Sequence, residues 1–71
     1  MTELQHSVVA LDENGRSIRT MDLATTDGET RKFTDDWGEA LATCGMLNHY
    51  EAGKEIDGHI VGGYEVVSEQ V

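Results

Sequence analysis

Trp37, Ala40, Leu41, Cys44 and Leu47 follow the spacing i, i+3, i+4, i+7 and i+10, which lines one face of an α-helix with apolar side chains. A helix with one apolar face must lay it on another layer. The rest of the chain reads as strands and turns, so that layer is predicted to be a sheet. Asp36 is placed to be the N-cap, with Glu39 three residues on as its capping-box partner. Asp35, Asp36 and Glu39 also set negative charge against the positive end of the helix dipole. Gly53, after Glu51 and Ala52, supplies the stop. Gly38 and Gly45 each cost about 0.8–1 kcal/mol against Ala in a helix interior, so either close packing needs them or the helix is locally weak.

Ahead of the helix, Leu4 to Leu11 reads as a strand ending at Asp12-Glu13-Asn14-Gly15, where Asn-Gly signals a hairpin. The returning segment, Arg16 to Ala24, carries Ile18, Met21 and Leu23, and a bulge near Thr20 would repair the break in alternation. Asp27-Gly28 marks a second tight turn. Thr30 to Thr34 then forms a third strand anchored by Phe33, with Arg31 and Lys32 on an exposed edge. After the helix, Lys54 to Gly58 reads as a loop and His59 to Ser68 as the last strand. Alternation puts Ile60, Tyr64 and Val66 on one of its faces and Val61 and Val67 on the other. Gly62-Gly63 interrupts it, as at a bulge or where another backbone comes close. The expected fold is α+β: a small antiparallel sheet in β-β-β-α-β order with one amphipathic helix packed on one face, in a single domain over residues 1–71.

With 71 residues, the core is expected to supply only on the order of 3–5 kcal/mol, which a partner or a homodimer would supplement. Cys44 stands alone, so no internal disulfide can form, which favours a reducing compartment. Met1 to His6 is acidic and polar, unlike a secretory signal, and the apolar run Val8 to Leu11 is far short of the ~20 residues that span a bilayer. A cytoplasmic location without a membrane partner is expected.

Charge narrows the function further. Five Lys and Arg against fourteen Asp and Glu give a net charge of −9. Residues 1–34 hold six acids and four bases, whereas residues 35–71 hold eight acids and only Lys54. Phosphates are held by Lys and Arg, so direct nucleic-acid binding is disfavoured, as is an anionic membrane. A basic protein or nucleoprotein surface is the complementary partner, because fields of this sign steer association with basic surfaces.

No motif points to catalysis. His6, His49, His59 and Cys44 lack metal-ligand spacing, and Cys44 falls in the apolar stripe as a buried structural thiol. Asp12/Glu13 fall in a turn and Asp35/Asp36 cap a helix, where neither pair has the contrasting environments that acid–base work needs. Gly62-Gly63 leads into a strand, not the helix of a phosphate-binding loop. The chain is therefore expected to be non-enzymatic, with no metal or cofactor. Trp37 is expected in the core. Tyr50 and Tyr64 are either interface anchors or packed residues. The candidate partner-binding residues are Asp35, Asp36, Glu39, Tyr50, Glu51, Glu55 and Asp57.

In size, acidity and cysteine content the chain resembles the accessory proteins that phages use against host defence, anti-CRISPR and anti-restriction inhibitors among them. That resemblance implies an inhibitor whose carboxylates occupy a basic surface normally filled by nucleic acid, such as the Lys/Arg-lined channels of a CRISPR effector complex. The alternative is a small structural or regulatory module that pairs through a strand edge near His59 to Val67.

Overall fold

The turn at Asp12 shows how local chemistry starts the sheet. The Asp12 carboxylate accepts hydrogen bonds from the backbone N–H of Asn14 (2.8 Å) and Arg16 (2.9 Å), while its own N–H donates to Arg16 O at 2.8 Å. These bonds, that from Arg16 foremost, hold the Asp12 carboxyl below its ordinary pKa. They fold β1 (Leu4–Asp12) back onto β2 (Ser17–Met21). A computed structural model describes residues 3–24 and 28–70. The expected turn at Asp27-Gly28 therefore lies partly outside the described residues.

Five further elements follow: β3 (Leu23–Ala24), β4 (Thr30–Arg31), α1 (Trp37–Tyr50), β5 (Glu55–Ile56) and β6 (His59–Gln70). The main sheet is antiparallel with four strands in the order β2-β1-β6-β5, and α1 packs on one face of it, an α+β fold. β1 pairs with β6 along its whole length, from Leu4↔Gln70 to Asp12↔Val61.

The predicted third strand is corrected. Met21 ends β2, and Leu23–Ala24 pairs with Thr30–Arg31 in a separate two-stranded sheet. Leu23, fully buried, anchors this excursion, whereas Phe33 is 45% exposed and anchors nothing in the core. The chain rejoins the main sheet at Thr34, whose backbone N–H and C=O both pair with His6. The bulge of β2 falls at Ile18 instead of near Thr20: Arg19 pairs with Ala10 and Ser17 with Leu11, and Ile18 is the extra residue. Ile18 and Met21, three apart, both pack against the core as a result.

A second bulge settles the two adjacent glycines. Gly63 pairs with Leu11 and Val61 with Asp12, so Gly62 is the unpaired residue. A Cβ on Gly62 would lie 2.7 Å from the Asp12 carbonyl oxygen. The bulge also switches Val61 onto the face of Tyr64, and both are buried, while Ile60 is 44% exposed. Simple alternation had put Ile60 on that face. Within the expected loop at Lys54 to Gly58, Glu55–Ile56 is a short strand that pairs with Ile60 and His59. Asp57 and Gly58 make the two-residue turn between them with φ of 50° and 84°, the left-handed values that such hairpins require.

Val8, Ala10, Leu23, Val61 and Tyr64 form the core, with Ile18, Met21, Cys44, Leu47, Ile56 and Val66 around them. Under α1 the closest residues are Ala40 and Thr43, flanked by Cys44 and Leu47. Their small side chains let the helix approach the sheet, and the packed face is rotated toward Thr43. Trp37 and Leu41 therefore sit on a flank, 48% and 47% exposed, which corrects the placement of Trp37 in the core. The Trp37 ring meets His6 edge-on at 5.0 Å.

Candidate partner-binding surface

Asp36 caps α1 as expected, its Oδ1 accepting from the N–H of Gly38 (2.8 Å) and Glu39 (3.3 Å). The far side of the box runs through a residue the sequence did not single out. Buried Thr34 accepts from the Asp36 N–H (3.0 Å) and donates its hydroxyl to Glu39 Oε1 (2.6 Å). Asp36 and Glu39 thus hold the helix start together. Asp35, exposed and outside this network, borders an open cleft of about 300 Å³ that is also lined by Glu3, Gln5, Arg31, Phe33 and Thr34.

The remaining candidates gather at the other end of the helix. Tyr50 is 66% exposed, with its ring edge-on to His49 at 4.5 Å. Glu51 pairs with Lys54 at 2.9 Å. Glu55 and Asp57 project from the β5–β6 hairpin, both exposed. A helix of 14 residues is about 21 Å long at ~1.5 Å per residue. The structure therefore separates the seven candidates into two acidic groups, one at each end of α1.

Between the two groups the helix surface is uncharged. From Ala40 to Tyr50 it carries no Asp, Glu, Lys or Arg, and Leu41, Ala42, Gly45, Met46 and His49 are exposed along it. The bases lie elsewhere. Arg31 pairs with Glu29 (2.8 Å) and Lys32 with Asp22 (3.2 Å), while Arg16 and Arg19 belong to the β2 side of the sheet, the opposite edge from β5. Among the described residues, Arg31 is the base that lines the cleft beside Asp35. Asp35, Glu55 and Asp57 have no ion pair among the described residues.

Tyr64 is buried, so of the two tyrosines only Tyr50 is offered to a partner. Burial raises the pKa of the Tyr64 hydroxyl, with Glu51 adding to the effect. Burial likewise raises the pKa of the Cys44 thiol, with Glu65 adding to it, and its Sγ donates to Tyr64 O at 3.3 Å. A thiol held protonated in this way is a poor nucleophile. Asn48, also unforeseen, bonds both backbone groups of Tyr64: its Oδ1 accepts from the N–H at 2.8 Å and its Nδ2 donates to the C=O at 3.2 Å. A polar side chain on the flank of an apolar helix face was the available signal for it.

Among the described residues, no three His, Cys, Asp or Glu side chains are grouped to hold a metal ion, and no helix is long and apolar enough to cross a membrane. Comparison with protein-family models, curated proteins and solved structures gives no match.

Proposed function

We propose that this chain is a non-enzymatic protein-binding inhibitor of the phage accessory type, acting in a host cytoplasm, where its acidic surface blocks a basic, nucleic-acid-binding surface of a defence complex. One observation supports this most: Asp35, Glu55 and Asp57 stand exposed beyond the two ends of a helix whose surface from Ala40 to Tyr50 is uncharged, without an ion pair among the described residues, in a chain of net charge −9. Carboxylates grouped at opposite ends of a helix about 21 Å long can meet two basic sites on one partner, while Met46 on the helix and Tyr50 at its C-terminal end give apolar contact. Anti-CRISPR and anti-restriction targets fit because their channels are lined with Lys and Arg for phosphate backbones.

The test is binding to CRISPR effector or restriction complexes at low and high salt. Lysine substitutions at Asp35, Glu55 and Asp57 should slow association about tenfold or more, since exposed charges act mainly on the on-rate. With Asp35 and Glu55 alone exchanged, sparing the left-handed turn position of Asp57, the melting temperature should not fall. Asp36→Lys should lower both, because it also removes the cap. Affinity that does not change with ionic strength, or that survives the triple reversal, would rule out the mechanism. A second reading, a self-associating module, draws on the outer edge of β6, and light scattering on the isolated chain tests it.

A further inference from the structure

β6 has twelve residues, and β1 covers one of its edges from Val61 to Gln70. Along the edge away from β1, β5 covers His59 and Ile60, and Val61 exchanges bonds with the chain at Gly53 and Lys54. Tyr64 comes next, and there the Asn48 carboxamide takes the place of a strand by bonding both N–H and C=O. Backbone groups in an antiparallel strand point to a given side at every second residue. Val66, Ser68 and Gln70 therefore turn their N–H and C=O toward that same outer side, and no element of the sheet lies there.

The surroundings of this stretch are specific. Leu41 is seven residues before Asn48 and Trp37 four before Leu41, so both occupy the helix flank from which Asn48 reaches the β6 edge. Both are half exposed, and the Trp37 ring touches His6, whose Nδ1 is hydrogen-bonded to Ser68 Oγ at 2.7 Å. Gly45, on the same flank, has nothing within 4 Å of where its Cβ would be. On the opposite face of the sheet, Glu65 and Glu69 are exposed beside the edge. An unpaired edge, an apolar flank on one face and two carboxylates on the other define the complement: an extended segment that alternates apolar and basic side chains.

We propose that the β6 edge from Val66 to Gln70 takes such a segment of the partner as an added strand, its apolar residues against Trp37 and Leu41 and its Lys or Arg residues against Glu65 and Glu69. This rests on the reading that the partner is basic. A second copy of this chain fits the edge less well, because it would bring a further −9 and its own Glu65 and Glu69 to the same place.

The test uses isotope-labelled full chain and a ten-residue synthetic peptide of alternating Lys and Val, with a control peptide N-methylated at alternate amides, which keeps the charge and removes the strand donors. Binding of the first peptide should slow amide hydrogen exchange at Val66, Ser68 and Gln70, and N-methylation should weaken it about tenfold, as expected for losing a pair of net hydrogen bonds. If both peptides bind alike and those three amides are unaffected, strand addition is overturned while the acidic-surface reading stands. If neither binds at low salt, both are overturned. If the three amides are already protected in a peptide-free dimer, the edge belongs to a second copy and the inference is wrong.

Discussion

Gly62 and Gly45 show that two glycines of one chain can have opposite consequences. At Gly62 the Asp12 backbone crosses so closely that an added methyl would sit 2.7 Å from its carbonyl oxygen and 3.1 Å from Glu13 Cα. Backbone atoms cannot step aside as a side-chain end can. Gly62→Ala should therefore cost about 1–3 kcal/mol, the usual range for overpacking. Gly45 faces open space, and its helical position gains from a residue with fewer unfolded conformations. Gly45→Ala should stabilise by about 0.8–1 kcal/mol, the helix-propensity difference. Chemical denaturation of the two variants checks both signs. Equal destabilisation would mean that α1 is packed on its outer side as well.

At the scale of elements, the β1–β2 turn depends on an ionised Asp12. Its folded pKa lies below the ordinary value because the carboxylate accepts the Arg16 and Asn14 N–H groups. A depressed carboxyl pKa contributes stability that is present above the unfolded pKa, roughly 4, and is lost as pH falls through the folded value. Urea midpoints followed from pH 5 downward should therefore fall less steeply for Asp12→Asn than for the parent chain, and parallel curves would show that the turn is indifferent to the charge. This element was legible in the sequence because Asn14-Gly15 and Asp12 act on neighbours a few residues away. Asp36 was legible for the same reason, and the bulge at Gly62 because glycines inside a strand mark a bulge or the close approach of another backbone. The places where the reading failed all depend on distant partners. Phe33 and Trp37 look like core residues by hydrophobicity, yet one helix on a narrow sheet buries few positions, and Ala40 and Thr43 take them. Thr34 and Asn48 looked like ordinary polar residues. The fold brings the Tyr64 backbone to Asn48, and it buries Thr34 through distant His6, which holds the Thr34 hydroxyl beside Asp36 and Glu39. The acidic surface was half legible: the sequence supplied the count of carboxylates, but only the length of α1 shows that they fall into two groups.

Across the whole molecule, a charge of −9 acts on folding and on binding with opposite signs. The three ion pairs within the described residues that hold Arg31, Lys32 and Lys54 are on the surface, with side chains at least 41% exposed, and such pairs are worth about 0–1 kcal/mol each. They do little to offset the mutual repulsion of the remaining carboxylates, which destabilises a compact chain. Sodium chloride shortens the reach of that repulsion to about 8 Å at 0.15 M and about 3 Å at 1 M. Raising it should increase the melting temperature of the free chain, and for a domain of this size each 1 kcal/mol recovered corresponds to roughly 4–8 °C. The same salt should weaken attachment to a basic partner, since attraction is screened as well as repulsion. Thermal melts and binding isotherms across one salt series would show the two trends running in opposite directions. A melting temperature that stayed flat would mean that the carboxylates are too far apart to repel one another, and fields that weak would not steer a partner either.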